Sequence, residues 1–145
     1  MTTSADFADA EWRTVLEGPP SAGMIVISAA HGGTFKETFA MSKAYLEARK
    51  QHGESELLDE IVSTKPAVDR THYHSMEEMR QHELQNIRDA VTVLEGKATA
   101  EELSGYRRFV LALAERVAEA HREHGVVVSD QEQAALAEIT KSLGG

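Results

Sequence analysis

The chain has 145 residues, with 24 Asp and Glu against 15 Lys and Arg, a formal net charge of -9, and no cysteine. That length suits one domain burying one core, so 1–145 is expected to fold as a single unit. The carboxylate excess repels phosphate backbones and anionic headgroups, which argues against nucleic acid as a partner, and the lack of thiols excludes disulfide frameworks, thiolate nucleophiles and Cys-ligated zinc.

The first ten residues are acidic and carry no positively charged leader ahead of an apolar run, so no secretory signal is expected and a cytoplasmic location is predicted. Around Trp12, Val15 and Leu16 lies a short apolar segment that Gly18-Pro19-Pro20 is predicted to end, with an extended turn after it. Ala22 to Ala30 is apolar on all sides, and its Met24–Ala30 core is far short of the ~20 residues of a membrane span, so no membrane insertion is expected. Ile25-Val26-Ile27 favours a strand by propensity, but a lone strand would have no partner in this chain, and a helix is predicted. Thr34 opens a helix carrying Phe35, Phe39, Tyr45 and Leu46 and closing at Gly53. A shorter one spans Ser55 to Thr64 with Leu57, Leu58, Ile61 and Val62 apolar, and Pro66 stops it.

Ser75 begins a helix through Met76, Met79, Leu84, Ile87, Val91 and Leu94 to Gly96. Thr99 begins the longest, in which Leu103, Tyr106, Val110, Leu113, Ala114 and Val117 recur at intervals of three and four up to Gly125. At 1.5 Å per residue it should be ~37 Å long. After Ser129, Ala134, Leu136, Ile139 and Leu143 mark a last helix ending in Gly144-Gly145. Thr34 with Glu37, Ser75 with Glu78, Thr99 with Glu102 and Ser129 with Glu132 each have the spacing of a capping box, in which hydroxyl and carboxylate satisfy each other's orphan backbone N–H groups.

Internal similarity divides the chain in two. Thr14-Val-Leu-Glu-Gly18 recurs letter for letter as Thr92-Val-Leu-Glu-Gly96. Phe39 to Gly53 aligns without gaps on Leu111 to Gly125, and Leu58, Glu60 and Ile61 then meet Leu136, Glu138 and Ile139. Candidate repeats therefore span 5–65 and 77–143. The expected architecture is an all-α bundle of about seven helices, in two three-helix units related by a pseudo-twofold axis.

A second alignment of the chain on itself pairs Met24-Ile-Val-Ile-Ser-Ala-Ala-His-Gly32, leading through Thr34 to Glu37, with the stretch from Ala114 to His124-Gly125, leading through Ser129-Asp-Gln-Glu132 to Ile139. An apolar helix, a polar residue plus Gly, a capped turn with Glu and a second helix resemble the repeated unit of the TerB-like family, which is associated with tellurite resistance. The resemblance implies a helical domain with internal twofold pseudosymmetry and a stress-response role. Where that family has Asp before the Gly at its proposed metal site, this chain has His31 and His124. A hard cation such as calcium wants carboxylate oxygens, whereas imidazole suits zinc.

Two groups of residues are candidate ligands for a divalent metal ion. The first is His31, Glu37, His124 and Asp130. Its ordinary explanation is that Glu37 starts a helix, while His124 sits at a helix C-terminus, where positive charge complements the dipole. The second is His72, His74 and His82, three of the seven histidines within eleven residues. His74, Glu78 and His82 would share one helical face only if the helix already included His74, and a helix capped by Ser75 excludes that. No phosphate loop, nucleophile elbow or His-Glu-x-x-His pattern occurs, so no catalytic residue is assigned. The sequence thus points to a non-catalytic cytoplasmic module of TerB-like type that binds a partner protein or a metal ion, or that self-associates. The alternative is a small metalloenzyme built on His72, His74 and His82.

Overall fold

In the computed structural model, residues 4–29, 43, 45–48, 50, 56–63, 75–122 and 130–144 are described. Among these residues the chain is all-helical and contains no strand. A 3-10 turn at Ser4–Asp6 precedes α1 (Asp9–Ala29), α2 (Glu56–Ser63), α3 (Met76–Lys97), α4 (Ala100–Arg122) and α5 (Asp130–Ser142). Residues 43, 45–48 and 50 are also helical, inside the predicted Thr34 helix. No helix among the described residues is long and apolar enough to cross a membrane.

The α4 helix shows most directly how sequence becomes structure here. The Glu102 N–H donates to Thr99 Oγ1 at 3.1 Å, and the Thr99 N–H donates to Glu102 Oε1 at 2.9 Å, so the predicted box is closed on both sides. Its stripe of Leu103, Tyr106, Val110, Leu113, Ala114 and Val117 is buried throughout. Because that stripe faces inward along the whole helix, α4 packs against α1, α2, α3 and α5. At its N-terminal end only Ala98 and Thr99 separate it from α3, and the Ala98 N–H donates back to Leu94 O at 2.7 Å to close that helix.

The start of α3 also follows the sequence. Ser75 is extended, with φ -154° and ψ 161°, and its hydroxyl accepts from the Glu78 N–H at 3.0 Å. The boxes at Thr34 and Ser129 lie outside the described residues. At the far end of α5, Gly144 adopts φ +75°, a left-handed conformation that favours glycine, and its N–H donates to Lys141 O at 3.1 Å. Arg107 reaches across from α4 and donates from Nε to Leu143 O at 2.6 Å.

The structure corrects one expectation. Gly18-Pro19-Pro20 does not end a segment: α1 runs through it without interruption from Asp9 to Ala29, joining the two pieces that the sequence separates. Local preference loses to burial, because Gly18, Pro19, Pro20, Ser21, Ala22 and Gly23 are all buried in the packed bundle. The helical reading of Ala22 to Ala30 holds for 22–29. The start of α1 has a device with no Ser or Thr in it: the Ala8 N–H donates to Glu11 Oε1 at 2.9 Å.

Helices α1 and α3 run antiparallel. Lys97 meets Glu11 at 2.8 Å at one end, Asn86 Nδ2 donates to Ser21 Oγ at 3.3 Å toward the other, and Gly18 lies opposite Ala90 between them. The core draws on all five helices and includes Val15, Ile25, Leu57, Ile61, Ile87, Leu94, Leu113 and Ile139.

Candidate functional site

The sequence-predicted ligands divide by where they fall. His31, Glu37, His72, His74 and His124 lie outside the described residues. Asp130 begins α5. His82 is exposed on α3, four residues after Glu78, whose own N–H is taken by Ser75. The helix begins at Met76 with Ser75 as its cap, so among the described residues the strip carries Glu78 and His82. Among the described residues no three His, Asp or Glu side chains are grouped so as to hold a metal ion.

The polar chemistry of the interior centres instead on Tyr106. Its side chain points from α4 into the α1 backbone, and its hydroxyl donates to Val15 O at 2.7 Å. Gly18 makes this approach feasible, since a Cβ there would overlap the hydroxyl and lie 3.1 Å from Cζ. Burial raises the Tyr106 pKa well above its ordinary value, with the nearby Tyr45 adding to the effect. The phenol is therefore neutral at physiological pH, a hydrogen-bond donor rather than a base or nucleophile. Tyr45 packs its ring on Phe109 with centroids 5.3 Å apart, and the neighbouring Glu47 pairs with Arg116 of α4.

Helical spacing puts Tyr106 in the core but does not reveal the partner of its hydroxyl. The available signal was a Tyr among aliphatic core positions, because a buried phenol requires an acceptor. The acceptor lies 91 residues away, which no local pattern reveals.

A second, half-buried polar contact joins α1 to α3. Asn86 Nδ2 donates to Ser21 Oγ and, at 3.5 Å, reaches Glu83 Oε2; Ser21 and Glu83 are both buried. Further along the same helix pair, Ala10, Glu11, Thr14, Asp89, Thr92 and Val93 line a groove of about 320 Å³. Its hydroxyls are committed to the helices, Thr14 Oγ1 donating to Ala10 O and Thr92 Oγ1 to Arg88 O, both at 2.9 Å. Lys97 is bonded to Glu11 of that lining and to Asp6 O, and lies 5.7 Å from the Phe7 ring centroid. The Lys97 hydrogen bond, together with the Ala8 N–H, lowers the Glu11 pKa. No protein-family model, curated protein or solved structure matches this chain.

Proposed function

We propose that this chain is a non-catalytic cytoplasmic module of TerB-like type, made of two related three-helix units, that acts in a stress response by binding a partner protein or a divalent metal ion. One observation carries the non-catalytic part. Four buried polar side chains have partners within the protein: Glu102 caps α4, Ser21 and Glu83 meet Asn86, and the Tyr106 hydroxyl serves an α1 carbonyl. A catalytic acid or base needs a proton-transfer partner on the substrate, and these groups face backbone or each other.

The repeat reading gains support from matched burial. Leu58 and Leu136 are both half-buried, Glu60 and Glu138 likewise, and Ile61 and Ile139 are both fully buried. The metal arm rests on the His-Gly pairs at His31 and His124, whose imidazoles favour zinc over calcium.

Thermal melts of chelator-stripped protein with zinc, manganese and calcium test it. An ion at a hundredfold excess over its dissociation constant adds ~2.7 kcal/mol, a rise on the order of ten degrees at this size. We expect zinc to give the rise, His31→Ala with His124→Ala to abolish it, and His82→Ala to leave it intact. A flat response to all three ions removes the metal arm and leaves partner binding. Metal-dependent turnover of a substrate would overturn the non-catalytic reading.

A further inference from the structure

We propose that α1 is a hinged helix whose continuity is held by Tyr106: the phenol hydroxyl stands in for the N–H that Pro19 lacks, and Asp9 to Glu17 form an arm that this contact keeps in line with the rest of the helix.

In an α-helix the carbonyl of residue 15 accepts from the N–H of residue 19. That residue is Pro19, which has no N–H, so the Val15 carbonyl has no donor at its normal position. Val15 is fully buried, and a buried carbonyl without a donor is strongly unfavourable. The Tyr106 hydroxyl occupies the vacancy at 2.7 Å. Gly18 completes the unit, because any side chain there would displace the hydroxyl. Pro19 creates the vacancy, Tyr106 fills it, and Gly18 leaves the room.

The local sequence favours the opposite state. Gly18 precedes one proline and Pro19 precedes another, and a residue before proline is pushed out of the α region toward extended conformations. Without the tertiary contact, the chain should break at 18–20. The two sides of that break have separate anchors. Ala22, Ile25 and Val26 on the C-terminal side are fully buried; on the arm Val15 is fully buried, Trp12 and Leu16 pack half-buried against the core, and Lys97 of α3 holds the start through Glu11 and Asp6 O. The Tyr106 hydroxyl, from α4, acts between them at the hinge. Such a conflict between local preference and tertiary contact is how a fold acquires a segment that opens below the cost of global unfolding.

Native-state hydrogen exchange on the full chain tests this with Tyr106→Phe, Pro19→Ala and the double variant. Tyr106→Phe should speed exchange of the amides from Trp12 to Glu17 by about tenfold or more, with those from Phe109 to Ala118 changing less than about threefold. In the Pro19→Ala background the Ala N–H serves Val15, and the same Tyr106→Phe change should alter arm exchange by less than about threefold. Should Tyr106→Phe alone fail to fold, the double variant must fold for the proposal to stand. Equal acceleration of arm and α4, no acceleration of the arm, or an undiminished effect in the Pro19→Ala background would each overturn it.

Discussion

Gly18 and Gly96 end the two copies of Thr-Val-Leu-Glu-Gly, and substituting each with Ala should give opposite results. Both lie within α-helices, and neither has a positive φ, so the backbone at each accepts Ala. Propensity alone would make either change favourable by up to ~1 kcal/mol. At Gly96 nothing lies within 4 Å of the new methyl, so Gly96→Ala should retain much of that gain, about 0.5 kcal/mol so near the helix end. At Gly18 the methyl would overlap the Tyr106 hydroxyl and stand 3.4 Å from Ala90 Cβ. Tyr106 is 1% exposed, so its ring has no free space to retreat into. Displacing it costs about 1–3 kcal/mol for the abandoned Val15 carbonyl and about 1–3 kcal/mol for overpacking, against which the propensity gain is small. The net expectation is a loss of about 1–5 kcal/mol, or roughly 3–18 degrees in Tm for a chain of this size. Urea unfolding of the three proteins measures it, with unchanged m values showing that the unfolded reference is the same. If Gly18→Ala is as stable as the parent, Tyr106 does not occupy the site described, and the account of α1 continuity fails with it.

Two other effects follow from named contacts. Thr99→Ala should destabilise by about 1–2 kcal/mol and Ser75→Ala by about 0.5–1 kcal/mol in the same unfolding assay, because the Thr99–Glu102 box is half-buried and the Ser75 contact is exposed. Tyr106, with its folded pKa raised, gives stability that is fully present below the unfolded tyrosine value near ~10 and is lost as pH rises beyond it, because the unfolded chain ionises first. Tyr106→Phe should therefore flatten the fall of stability between about pH 9.5 and 11. An equally steep fall in the variant would show that Tyr106 is not the titrating group.

Much of the fold was legible because its signals are local. The α4 helix declares itself through Thr99, Glu102 and an apolar stripe at helical spacing, and both the cap and the buried stripe appear in the structure. What was illegible depends on distant residues. Pro19 and Pro20 are strong local breakers, and what opposes them, the burial of 18–23 and the Tyr106 hydroxyl on Val15 O, comes from far along the chain. The start of α1 is illegible for a different reason: Glu11 accepts from the Ala8 N–H, and no Ser or Thr marks the position. As for the candidate site, histidine clustering drew attention to His72, His74 and His82, of which only His82 falls among the described residues, exposed on α3.

The repeated pentapeptide shows how far identity of letters can be carried. Thr14 and Thr92 make the same hydroxyl bond to the carbonyl four residues back. Beyond that the copies diverge, since Val15 is fully buried where Val93 is half-buried, and Leu16 is half-buried where Leu94 is fully buried. A shift of the buried position by one residue is a rotation of roughly 100° about a helix axis, enough to turn a core face toward a flank. The cause is packing: α1 has α3, α4 and α5 around it, while α3 lies mainly against α1. The match of Leu58, Glu60 and Ile61 to Leu136, Glu138 and Ile139 uses less distinctive letters yet preserves burial at each position. Burial is thus kept at Leu58, Glu60 and Ile61 and lost in the pentapeptide and at Leu46, which is exposed where its counterpart Ala118 is buried; a duplicated unit would have to preserve the buried face before it preserved spelling.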